Sequence, residues 1–129
     1  MKNFLALFFL LSFFCKAQGD LKIKLYVLEG KKTQVVESFQ KEKSYTLCEG
    51  ETKVSKIEIS GHMDNVSFTI KKESDHKVIF TKTKLNLSSP QSFTQRDFQL
   101  HDGDNYTINI SQGNKTIFEG TIASAVCGD

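Results

Sequence analysis

Residues 98–118 read FQLHDGDNYTINISQGNKTIF, and the phase of this stretch decides the fold. From Tyr106 onward, apolar side chains recur at every second position, at Tyr106, Ile108 and Ile110, with Thr107, Asn109 and Ser111 between them. Successive side chains on a strand point to opposite faces, so the pattern predicts a strand over Tyr106–Ser111 with one face in a core. Gly113-Asn114 follows as a hairpin turn. A second alternating run, Thr116–Ser124, brings the chain back.

The same period-two signal extends through the rest of the chain. It predicts further strands at Leu21–Leu28, Thr33–Phe39, Ser44–Cys48, Lys53–Ser60, Val66–Lys72, Lys77–Lys82 and Gln95–Leu100. The gaps are rich in turn formers: EGKK, CEGE, SGHMDN, KESDH, LSSPQS, HDGDN and SQGNK. Pro90 falls in the longest irregular stretch, where its missing N–H costs a sheet nothing. No helical period, internal repeat or low-complexity linker interrupts the series. Short strands at this spacing imply an all-β fold, an antiparallel two-sheet β-sandwich of about seven to nine strands. At 129 residues, 39% of them hydrophobic, the chain can fill one core.

The N-terminus has a different character. Residues 1–17, MKNFLALFFLLSFFCKA, combine Lys2, an apolar run from Phe4 to Phe14 and small residues at Cys15, Ala17 and Gly19. They read as a signal peptide, since a run this short does not span a bilayer. The folded domain is then 18–129, and the protein is expected to be secreted and extracellular. Acylation of Cys15 as a lipoprotein would want a small residue before it, and Phe14 stands there. The apolar tail of a lipid anchor is missing after SAVCGD, so no membrane anchor is expected. Without Lys2 and Lys16 the basic and acidic residues balance, and no run of like charge exceeds pairs such as Lys31-Lys32 and Lys71-Lys72. Such a surface excludes a phosphate-neutralising stripe, so nucleic acid is not an expected partner.

Two cysteines remain, Cys48 and Cys127. In an oxidising compartment they are expected to join and close a loop across most of the domain. The alternative leaves Cys48 as a buried thiol and Cys127 free to pair with another chain.

On this ladder the motifs of residues 34–122 resemble an immunoglobulin-type domain. KEKSYTLC is similar to the family's second strand, which ends on a core cysteine, here Cys48. NVSFTIKKESDHKVIF is similar to the third strand and its hairpin, with Phe68 where a buried tryptophan usually stands. FQLHDGDNYTINI is similar to the approach to the sixth strand, with Asp102 four residues and Leu100 six residues before Tyr106, a spacing shared with fibronectin-type sandwiches. The resemblance implies that Tyr106 forms a corner, its hydroxyl bonded to upstream backbone near Leu100 to Asp102. The chain departs from the family in having no tryptophan and in carrying Ile108 where the second core cysteine belongs.

Every asparagine after the signal heads an Asn-x-Ser/Thr triplet: Asn65, Asn86, Asn105, Asn109 and Asn114. Five of five predicts N-glycosylation in a secretory pathway. Asn105 and Asn109 share a strand face, so glycans there would cover one sheet and leave binding to the other sheet or the loops. The rival reading is a polar strand face that uses asparagine for its own sake.

Catalytic signals are thin. His62, His76 and His101 stand in three different polar loops, and no serine or cysteine sits in a nucleophile elbow. DGDN begins like a calcium loop, but Tyr106 and Gly113 occupy ligand positions. His62 with Asp64 is a loop pair and not a ligand set. No enzymatic activity, metal or cofactor is expected. The expectation is a secreted recognition or adhesion module that binds an extracellular protein or cell-surface receptor. The alternative is an exported, unglycosylated bacterial sandwich with a structural or carbohydrate-associated role.

Overall fold

A computed structural model of the chain describes residues 21–37 and 39–128. The expected signal peptide and Cys15 lie outside the described residues. Nine strands run in chain order: β1 (Lys22–Glu29), β2 (Lys32–Val36), β3 (Ser44–Cys48), β4 (Thr52–Ser60), β5 (Val66–Lys72), β6 (Val78–Leu85), β7 (Gln91–Thr94), β8 (Tyr106–Gln112) and β9 (Lys115–Ala125). One helical turn, α1 (Phe39–Glu42), links β2 to β3. The strands form a four-stranded sheet in the order β2-β1-β4-β7 and a five-stranded sheet in the order β3-β9-β8-β5-β6. Neighbours are antiparallel except β3 and β9, which are parallel. The chain is an all-β, two-sheet sandwich.

Alternation explains the core directly. Ile23, Leu25 and Val27 of β1 and Val54, Ile57 and Ile59 of β4 face Val66, Phe68 and Ile70 of β5 and Tyr106, Ile108 and Ile110 of β8. Both outer faces carry the polar phase. Two hairpins are tight: Gly30-Lys31 joins β1 to β2 and Gly113-Asn114 joins β8 to β9, with positive φ at each glycine and not at the residue after it. Glycine first in a two-residue loop is the pattern whose backbone twist matches that of the flanking strands.

Tyr106 is buried, and its hydroxyl accepts a hydrogen bond from the His101 N–H at 2.9 Å. The aromatic approach to β8 is thereby tied to backbone five residues upstream. Phe68 is fully buried, stacked on Phe93 and edge-on to Phe80. Cys48 and Cys127 are joined, with Cα atoms 5.3 Å apart.

Several expectations need correcting. The strand expected over Thr33–Phe39 stops at Val36, because Phe39 turns into α1 to bury its ring against Phe118. No strand covers Gln95–Leu100. Instead β7 ends at Thr94, where the Asp97 carboxylate accepts from the Thr94 N–H at 2.8 Å and Asp97 N–H donates to Thr94 C=O at 2.9 Å. That turn lets Phe93 and Phe98 both reach the core, which strict alternation at an odd separation forbids. The turn also returns the chain toward the start of β8. Period two over Lys77–Lys82 predicts Ile79 in the core beside Phe68 and Ile70; the β5–β6 register shifts there between Ile70 and Lys71, Phe80 stands opposite Ile70, and Ile79 and Phe80 are both only partly buried. Ser44–Cys48 is a strand as expected, but an edge strand parallel to β9, and Cys48 sits at the rim of the sandwich. The family position of a core cysteine between the sheets is not the one it occupies.

Candidate functional site

Two outer faces compete as binding surfaces. On the five-stranded sheet, Thr81, Thr69, Asn109 and Glu119 line up across β6, β5, β8 and β9. Thr69 and Thr81 hydroxyls share a hydrogen bond of 3.1 Å, and Thr107 Oγ1 donates to Glu73 Oε1 at 3.1 Å. Thr69, Glu73, Thr107, Asn109 and Glu119, with Lys71, His76 and Val78, line an open groove of about 660 Å³. The groove is polar and apolar in equal part, and no Phe or Tyr side chain lines it. Asn109 lies in it, half-buried on the central strand.

The four-stranded sheet presents a different surface. Its outer face carries Lys22, Lys24, Tyr26 and Leu28 on β1, the phase opposite Ile23, Leu25 and Val27. One row runs Val35, Tyr26, Lys56, Thr94 across β2, β1, β4 and β7. The Lys56 ammonium sits 4.1 Å from the centre of the Tyr26 ring, a cation–π contact, and Tyr26 Oη donates to Glu58 Oε2 at 3.2 Å. Partial burial, then the Glu58 charge and its hydrogen bond, with Glu37 adding to them, raise the Tyr26 phenol above its ordinary value. A bulge at Ser55, whose hydroxyl donates to Tyr26 C=O at 3.1 Å, sets the register of this row. Val35 is 40% exposed beside Tyr26. Alternation along β1 puts Lys22, Lys24 and Tyr26 on one face; the clustering around Tyr26 depends on cross-strand register, which spacing along one strand does not carry.

The five sequons all lie between Asn65 and Asn114. Asn65, Asn86, Asn105 and Asn114 are exposed in turns or strand ends. Each also serves the backbone or a turn: Asn65 has φ +54°, Asn86 Oδ1 accepts from Ser88 N–H at 3.0 Å, Asn105 Oδ1 accepts from Ser124 N–H at 2.8 Å, and Asn114 completes the β8–β9 hairpin. None of these bonds uses the amide nitrogen to which a glycan attaches. No sequon falls on β1, β2, β4 or β7, so the outer face around Tyr26 is free of them.

The histidines are not brought together with a nucleophile. His62 stands in the β4–β5 turn, His76 in the β5–β6 hairpin with φ +58°, and His101 at the Tyr106 corner, where its backbone N–H donates to Tyr106 Oη and its C=O accepts from the Asp104 N–H at 3.3 Å. A small pocket of about 330 Å³ lies beside that corner, lined by Lys53, Gln95, Gln99 and Asp102 among others. Among the described residues no group of three or more His, Cys, Asp or Glu side chains could hold a metal ion. Among them, too, no helix is long and apolar enough to cross a membrane.

Known proteins add no name to this surface. No protein-family model matches the chain, and neither a curated protein nor a solved structure does.

Proposed function

We propose that the protein is a secreted extracellular recognition module, an immunoglobulin-like sandwich that binds another extracellular protein or a cell-surface receptor through the outer face of its four-stranded sheet. The observation that carries the reading is the cluster of Tyr26, Leu28 and Val35, ringed by Lys24, Lys53 and Lys56, on a face without a sequon. An aromatic anchor with aliphatic neighbours inside a charged rim is the composition of a protein-binding patch. Glycans on the turns and on Asn109 would leave this face as the accessible one.

What supports the immunoglobulin likeness is strand order. The β4–β7 pairing in one sheet, β6-β5-β8-β9 in the other and the parallel β3–β9 edge follow the arrangement of such sandwiches, and the Tyr106 corner adds a local mark of the family. Mass spectrometry of the protein secreted by its native cell, with and without endoglycosidase, tests the setting: mass loss at the sequon peptides is expected. Crosslinking in native extracellular fluid tests the face. Tyr26→Ala and Lys56→Glu are expected to lose a specific crosslinked partner that Glu119→Gln, on the other sheet, retains. Equal loss from both faces overturns the choice of surface.

One observation favours the alternative, an exported, unglycosylated bacterial sandwich. Asn65, Asn86, Asn105 and Asn114 have backbone or turn roles of their own, so their placement has a cause besides glycosylation. An unchanged mass after endoglycosidase treatment decides for it.

A further inference from the structure

A two-sheet sandwich has four sheet edges, and three of them are guarded. The β6 edge is bent by two register shifts and carries Lys82 and Lys84, the latter at φ +57°. The β7 edge is four residues long, preceded by Pro90 and closed by the Asp97-capped turn. The β3 edge ends in the disulfide that ties Cys48 to the tail. Register shifts, edge lysines, short strands and proline are devices by which sheets avoid pairing with further strands, and the disulfide fixes the end of β3. The fourth edge, β2, carries one such lysine, Lys32, at its start but is neither bent nor interrupted: its register with β1 is regular over all five residues, it contains no proline, and Lys32, Thr33, Gln34 and Val35 are all exposed.

Hairpin geometry states which backbone groups β2 leaves open. Gly30-Lys31 is a two-residue loop, so Glu29 and Lys32 close it as a hydrogen-bonded pair. Hydrogen-bonded and non-bonded pairs then alternate along an antiparallel ladder. Gln34 and Val36 therefore bond to β1, while Thr33 and Val35 turn their N–H and C=O groups to the free edge. Charge along this edge is antisymmetric, with Lys31 and Lys32 at its start and Glu37 after its end.

We propose that β2 pairs with β2 of a second copy of this chain, antiparallel and centred on Gln34. In that register Thr33 and Val35 of each copy meet Val35 and Thr33 of the other, and all their open N–H and C=O groups are satisfied. Lys31 meets Glu37 at both ends of the seam, an attraction that the reverse, parallel alignment would turn into like-charge contact. The two four-stranded sheets become one continuous eight-stranded sheet, and the exposed Val35 side chains pack beside Thr33 across the seam. The outer face around Tyr26 and Leu28 stays open, and Val35 is the one residue that the seam shares with the recognition patch. A five-residue seam is a small interface, and the dimer is accordingly weak and concentration-dependent.

Sedimentation velocity of the purified full chain is expected to show a monomer at low concentration and a reversible dimer as concentration rises. Val35→Pro removes an N–H that faces the free edge and spares the β1–β2 ladder, the position at which an edge strand tolerates proline. It is expected to abolish the dimer with a melting temperature near that of the parent. Gln34→Cys should crosslink to itself on oxidation, since the two Cα atoms of a non-bonded pair lie within disulfide reach, whereas Lys32→Cys and Val36→Cys should not. A purely monomeric chain at every concentration, or a dimer that survives Val35→Pro in a folded protein, overturns the proposal.

Discussion

Tyr106 illustrates how one side chain fixes local backbone. Its ring fills the core at the start of β8 while its oxygen takes the His101 N–H at the rim. Tyr106→Phe keeps the ring and deletes the acceptor, so a loss of about 1 to 2 kcal/mol is expected in denaturant unfolding, the cost of orphaning a partly buried donor. Gly120 is constrained from the opposite direction. A Cβ there would stand 2.7 Å from the Phe118 ring and 3.0 Å from the Phe39 ring, because Phe118 folds over the glycine and Phe39 closes on it from α1. Gly120→Ala should therefore destabilise by about 1 to 3 kcal/mol through overpacking, measurable as a lower denaturant midpoint at unchanged slope. On the outer face, Tyr26 titrates under the influence of Glu58. Since the folded state raises its value, the neutral phenol contributes stability that is complete below the ordinary tyrosine value and fades as pH rises through the raised one. Glu58→Gln removes both the charge and the strong acceptor, and the absorbance titration of Tyr26, taken as the difference from Tyr26→Phe, should move to lower pH.

At the scale of elements, the strands with clean alternation were legible almost residue for residue. Val66–Lys72 and Ser44–Cys48 fall where the pattern puts them, β4 and β8 differ from it by one residue at one end, and β1 and β9 by one residue at each end. Two of the failures share a cause. Phe39 and Phe98 are apolar residues out of strand phase, and each reaches the core through a turn, α1 in one case and the Asp97-capped turn in the other. Period-two reading counts such residues into the nearest strand, because the side-chain cap that breaks the strand is a tertiary choice. Pairing was less legible than position: the parallel β3–β9 contact joins strands far apart in sequence, and it moved Cys48 from the core to the rim. The surface cluster at Tyr26 was half visible, its face predicted by alternation and its neighbours set by the Ser55 bulge. Where phase and packing agree, the energetic consequence is large. Phe68 makes its stacking contact with Phe93 from across the sandwich, so Phe68→Ala is expected to cost about 3 to 5 kcal/mol, read from the same unfolding curves.

For the molecule as a whole, the disulfide sets how the chain is closed. Cys48 and Cys127 enclose 79 positions of separation, so β4 to β9 lie inside the loop and β1, β2 and nearly all of β3 lie outside it. In the chain-entropy account a loop of that length restrains the unfolded state by about 4 to 5 kcal/mol. The folded state has little need of the bond, because β3 already pairs with β9 from Ser44 to Cys48 and Glu49 N–H donates to Ala125 C=O at 2.9 Å just beyond. Reduction should then leave the native circular dichroism spectrum at room temperature intact while lowering the melting temperature by roughly 15 °C or more. The double variant Cys48→Ser/Cys127→Ser should reproduce the shift without reductant, and its β3–β9 amides should keep their hydrogen-exchange protection at low temperature. Loss of that protection with little change in melting temperature would mean that the bond holds the β3 edge in place locally and that its effect on the unfolded chain is minor.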